Sequence, residues 1–104
     1  MKLTWSPLAV SDRESIFDYI ADDNVAAAID LDELFQRKAA LLVHQPQMGR
    51  RGRVRDTREF VVHPHYVLVY DIQVEHDRVR ILRVLHTALQ YPPKQPRARA
   101  RKRK

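Results

Sequence analysis

The sequence contains no cysteine. Disulfides and thiolate metal sites are therefore excluded, and the chain suits a reducing compartment such as the cytoplasm. No run approaches the ~18 apolar residues that a membrane span requires, and no apolar signal-peptide core is present. A cytoplasmic protein without membrane contact is the expectation. Glycine is scarce: Gly49 and Gly52 are the only two, and they share one short stretch. There are no internal repeats. At 104 residues one domain is expected, with a modest core that buries ~60–65% of the unfolded chain's surface.

The net charge of +6 sits at one end. Seven of the 19 Lys and Arg lie within 94–104, which leaves 12 against 13 Asp and Glu, a net of −1. The sequence divides into a near-neutral domain, 1–93, and a basic tail, 94–104. The tail lacks large apolar residues and alternates Arg with Ala, the composition of a disordered segment. Non-specific contact with nucleic-acid phosphates, binding of an acidic partner and a purely solubilising role are all open to it. If all seven cations met duplex phosphates, the log–log salt slope of binding would be roughly −6.

The chain is organised around Arg58 to His86. Tyr66–Val74 and Arg78–His86 are β-rich runs joined by Glu75-His76-Asp77, the pattern of a β-hairpin. Tyr66, Leu68, Tyr70, Ile72 and Val74 fall on one face, and Val67 and Val69 on the other. A strand apolar on both faces is central, with helices over one side and the other side open to a partner. Upstream, Lys2–Ser6 reads as a first strand. Ser6 as N-cap and Pro7 at the first helical position open a helix to about Asp22. Its inward stripe is Leu8, Asp12, Ile16, Tyr19 and Ile20, interrupted by Asp12. Asp22-Asp23-Asn24 breaks the chain before a second helix, about Val25 to Val43, so the two pair as an antiparallel hairpin. His44–Arg53 is a loop. A strand of about Val54 to Val62 follows, then a turn at His63-Pro64-His65. The order β-α-α-β-β-β predicts an α+β fold: an antiparallel twisted sheet with an N-terminal helical hairpin packed on one face.

These elements, with Pro46-x-Met48-Gly49-Arg50, Arg58-Glu59-Phe60-Val61-Val62-His63-Pro64-x-Tyr66, Ile81-Leu82-Arg83-Val84-Leu85-His86 and Tyr91-Pro92, resemble the RelE/ParE superfamily of toxins from type II toxin–antitoxin systems. The resemblance covers about residues 1 to 93 and lies nearer the ParE-like branch. It implies the same fold and a growth-inhibiting bacterial toxin neutralised by a cognate antitoxin. For a ParE-like member the implied target is DNA gyrase, with plasmid stabilisation as a familiar setting. A RelE-like member would instead cleave mRNA on the ribosome. An inactive relative kept as a binding or autoregulatory module is a further alternative.

RelE-like nucleases tend to carry an arginine directly after the position of Tyr66. Here that residue is Val67, which cannot bind a phosphate oxygen, and Leu68–Val74 holds no Lys or Arg. His86 matches a histidine implicated as a general acid in some nucleases of the superfamily, so the resemblance makes it the candidate acid. The competing reading is a strand-end histidine that bonds backbone or packs on Tyr91. Arg50, Arg51, Arg53, Arg58 and Arg83 are the candidates for target or phosphate binding. Arg50, Arg51, Arg53 and Arg55 form a local cluster whose simplest alternative is a solvated loop. Arg58 has the alternative of pairing with an acidic residue of the body. Tyr66, Tyr70 and Tyr91 are candidates for antitoxin contact, with core-edge packing as the competing role. His63 and His65 flank Pro64 and argue for a turn more than a metal site. No metal and no cofactor is called for.

Overall fold

A computed structural model describes residues 1–93. The expected disordered basic tail, 94–104, lies outside the described residues. The elements are β1 (Lys2–Trp5), α1 (Pro7–Ala21), α2 (Val25–His44), β2 (Arg50–Arg51), β3 (Arg58–His63), β4 (Tyr66–Gln73) and β5 (Arg78–His86). A single 3-10 turn, Val74–His76, and a left-handed Asp77 (φ 50°) join β4 to β5. No described helix is long and apolar enough to cross a membrane.

The sheet order is β1-β5-β4-β3-β2. β2 to β5 pair antiparallel, and β1 adds to β5 in parallel. The α+β architecture is thus as the sequence predicts, with a mixed rather than purely antiparallel sheet. A parallel pair cannot be closed by a tight turn. The first described strand meets the last described one, and the elements between them lie in the connection.

β4 is central. Toward the helices, Leu68 and Tyr70 pack with Phe35, Ala39, Leu42 and Ile81. On the opposite face, Val67 and Val69 join Leu85 under Leu82 and Tyr91. That second face is therefore partly closed by the chain's own final described residues, a correction to the expectation of an open side. The first-helix stripe also needs correction: Leu8 is 60% and Tyr19 80% exposed, whereas Ala9 is fully buried and Ile16 packs on the core. The reason is polar. β1 ends at Trp5, so β5 continues beyond it with an uncovered edge, and α1 supplies the missing partners. Ser6 Oγ donates to the Leu82 carbonyl (2.8 Å) and Asp12 accepts from the Val84 amide (2.9 Å). That requirement turns the Ala9–Asp12–Ile16 side of the helix to the sheet.

Ser6 does double duty, because its Oγ also accepts from the Ala9 amide (3.1 Å) as the helix cap. Ser6→Ala is expected to lower stability by about 2 kcal/mol, combining the lost cap with an unpartnered carbonyl. Urea unfolding followed by circular dichroism measures this. A loss near zero would mean that water replaces both bonds.

Candidate functional site

The expected strand beginning at Val54 starts instead at Arg58, because residues 52–57 fold back on themselves. Gly52 N–H donates to the Thr57 carbonyl (2.8 Å), and Thr57 Oγ1 donates to the Val54 carbonyl (2.6 Å). Asp56 takes the left-handed backbone conformation (φ 64°) that closes the turn. Upstream, the segment 46–49 is pinned by Tyr70. Its hydroxyl donates to the Pro46 carbonyl (2.6 Å) and accepts from the Gly49 amide (2.9 Å). Arg58 donates from Nη1 to the carbonyl of Gly49 (2.6 Å) and, at longer range, of Gln47 (3.4 Å). Arg58 therefore binds backbone, not an acidic side chain.

Glu59 anchors the arginines. It is 1% exposed, and its Oε2 accepts from both the backbone amide (2.9 Å) and Nε (3.0 Å) of Arg53. Oε1 makes no hydrogen bond but lies 3.6 Å from Arg50 Nη2. Burial pushes this carboxyl up, yet the Arg53 guanidinium and amide, aided by the Arg50 charge, outweigh it and leave the group below the usual carboxylate range. A depressed carboxylate contributes stability that is fully present above its unfolded pKa, about 4.5, and is lost as pH falls through the lower folded value. Thermal melts between about pH 5 and pH 3 should thus show a steeper loss for the native chain than for Glu59→Gln. Parallel curves would show that Glu59 is not held ionised.

The outcome is a shallow basic cleft of about 790 Å³, lined by Arg51, Arg53, Arg55, Thr57, Arg58 and Ile72 among others. Arg53 also lies over the Tyr91 ring, 5.6 Å from its centroid. Of the sequence-nominated arginines, Arg50, Arg51, Arg53 and Arg58 are thereby gathered in one region. Arg83 is not among them. Its Nε and Nη2 form a two-pronged pair with Asp12 (2.8 and 2.9 Å). That hydrogen bonding holds its pKa above the ordinary arginine value against the effect of burial. The assignment of Arg83 to phosphate binding is corrected accordingly: in this fold its fork is already filled.

His86 lies elsewhere. It pairs with Tyr66 across β4–β5, while Arg58 pairs with Tyr70 across β3–β4. The two are separated by four residues along β4, ~13 Å at ~3.3 Å per residue. His86 Nδ1 accepts from the Ala88 amide (3.0 Å), and its ring stacks on His65 (5.5 Å between centroids). Backbone bonding, one of its two anticipated roles, is therefore present. His63 Nδ1 likewise accepts from the His65 amide (3.0 Å), which fixes the turn. No group of three or more His, Cys, Asp or Glu among the described residues forms a metal-sized cluster.

The three tyrosines separate. Tyr70 is fully buried and its hydroxyl is raised by burial, so its nomination for antitoxin contact is corrected to an internal tether. Tyr66 is half-buried, edge-on to Phe35 at 5.5 Å. Tyr91 is half-buried against Val67, Val69 and Leu85. Sequence reasoning missed Glu59 and Asp12 as organisers. The signal for Asp12 was present, as the one acidic residue in an otherwise apolar stripe.

Comparison with known proteins adds three findings. Residues 3–91 match the model of the family described as ParE toxin of type II toxin-antitoxin system, parDE. The protein named "Putative toxin Y4kP" of Sinorhizobium fredii (strain NBRC 101917 / NGR234) is 30% identical over 92 residues, 88% of this chain and 93% of that one. A solved structure titled "Chromosomal ParDE TA system from P. aeruginosa" matches the fold with a TM-score of 0.72 at 20% identity, over 83% of this chain and 95% of that one.

Proposed function

The chain belongs to the ParE toxin family of type II toxin–antitoxin systems, and from that premise we propose that it arrests growth by binding a bacterial target, DNA gyrase, without cleaving RNA. The observation that supports binding over cleavage is the dispersal of the nuclease candidates. Metal-free RNA cleavage needs a base, an acid and cations around one phosphodiester. Here Arg83 is filled by Asp12, His86 is ~13 Å along the strand from Arg58, and Val67 is buried beneath the final described segment. The exposed guanidiniums of Arg50 and Arg51, with Arg53 and Arg58 beside them, form the target-facing surface.

A cognate antitoxin holds the toxin inactive. An apolar groove of about 540 Å³, lined by Met1, Pro46, Met48, Ile72 and Val74, adjoins the basic cleft through Ile72. Apolar surface next to cationic surface suits an antitoxin segment carrying both apolar and acidic residues. Tyr66, half-buried on the helical side, and Tyr91 are further contact candidates.

Pulse induction of the chain in a bacterial host, with and without its antitoxin, tests the reading. Altered plasmid supercoiling or DNA breaks with intact messages are expected, and the antitoxin should suppress them. Codon-phased mRNA 5′ ends with normal supercoiling would overturn it in favour of the RelE-like activity.

A further inference from the structure

We propose that the arginine cleft beside β2 is a binding site for the phosphodiester backbone of nucleic acid, read without regard to base sequence. The inference goes beyond the gyrase assignment and stands independently of it. Residues 50–59 carry five arginines against Asp56 and Glu59, a local excess of three positive charges. Glu59 compensates Arg53 and, at 3.6 Å, part of Arg50. The Arg55–Asp56 pair, at 3.9 Å, is more than 90% exposed on both sides and water-screened. Arg51 has no ion pair among the described residues. Arg58 meets carbonyl oxygens, which satisfy donors but leave its charge in place.

The cleft is also built before any ligand arrives. The Gly52–Thr57 turn, the Glu59–Arg53 bonds and the Arg58 tie to residues 47 and 49 hold the backbone that carries the arginines. Ordering costs on binding are reduced accordingly. Its lining includes no aromatic ring on which a base could stack, and the Thr57 hydroxyl is spent on the Val54 carbonyl, which leaves the guanidiniums, assigned here to phosphate oxygens. Contacts of this kind position a protein on a strand and do not specify sequence. Within the cleft itself Ile72 is the single large aliphatic residue, so charge dominates its lining. A polyphosphate needs no anchor, since released counterions supply the driving force. Further positive charge follows in the sequence. Tyr91 lies under Arg53, and the first of the seven cations of 94–104 follows three residues later.

The test uses the full chain and two fluorescein-labelled probes, a mixed-sequence DNA duplex and a single-stranded RNA of the same length. Anisotropy titrations from about 50 to 200 mM salt give the log–log slope, with ~0.9 per phosphate neutralised on duplex DNA. Arg51→Ala/Arg55→Ala, two exposed positions outside the Glu59 and Tyr70 tethers, should reduce that slope by about 1.8 and weaken binding uniformly across sequences. Binding of either or both probes that depends on Arg51 and Arg55 supports the site and identifies which nucleic acid it takes. An unchanged slope in this variant, with binding lost instead on Arg101→Gln/Arg103→Gln, would overturn it in favour of the tail alone. Failure of both probes to bind would overturn it too, as would displacement of DNA by polyglutamate at equal charge concentration.

Discussion

Gly49→Ala is expected to destabilise the protein by about 3 kcal/mol, since overpacking at the low end of its range (about 1) is compounded by loss of two hydrogen bonds (about 1 each). A Cβ there would sit 2.7 Å from the Tyr70 hydroxyl, 2.8 Å from its Cε1 and 2.8 Å from the Glu59 carbonyl oxygen. Neither neighbour can retreat. Tyr70 is fully buried, and the Glu59 backbone is held in the β3–β4 ladder. The loop must lift instead, and the Tyr70 bonds to Gly49 and Pro46 go with it. In a domain of this size such a loss lowers the melting temperature by roughly 12–24 °C. Tyr70→Phe removes the same two bonds without the clash and should cost about 2 kcal/mol. Chemical denaturation of the two variants separates the steric part from the polar part. A Gly49→Ala variant within about 0.5 kcal/mol of the native chain, the range of an ordinary surface change, would show that the loop is not seated on Tyr70.

The second large effect is expected at Asp12→Ala, again about 3 kcal/mol. The carboxylate accepts three bonds, two from Arg83 and one from the Val84 amide. Removing it leaves a backbone donor on the β5 edge unpartnered and a partly buried guanidinium uncompensated. A fully buried broken pair would cost more, about 3–5 kcal/mol. The side chains here are 16% and 27% exposed, so water recovers part of that. Arg83→Met should cost less, because the Val84 bond survives. A double-mutant cycle should return a coupling of at least ~1 kcal/mol between the two positions. Additive losses would mean that the pair contributes only through its separate backbone contacts.

The sizes of these effects follow from how the loop and the helix are attached. Both are fixed by a few buried or part-buried polar bonds made far from their own sequence: Tyr70 is 21 residues from Gly49, and Arg83 is 71 from Asp12. Such contacts leave no local pattern. The basic loop was legible as a cluster of arginines, but not that a buried Glu59 would organise it. The predicted helical stripe put Leu8 and Tyr19 inward together with Asp12 and Ile16, whereas polar pairing of Asp12 to β5 turned Ala9 inward and left Leu8 and Tyr19 exposed.

Patterns that repeat within a few residues were sufficient by themselves for the rest. Alternation over 66–74 and 78–86, the Ser6-Pro7 helix start, the Asp22-Asp23-Asn24 break and the scarcity of glycine outside one loop determined the element order, the α+β class and a two-faced central strand. These are short-range consequences of side-chain direction and backbone preference. The parallel placement of β1, the cover that Tyr91 lays over the second sheet face, the neutralisation of Arg83 and the distance between His86 and the arginines were decided only in three dimensions. Each depends on which strands become neighbours, and hydrogen-bond register between distant segments is set by the packing of the whole sheet rather than by either segment alone.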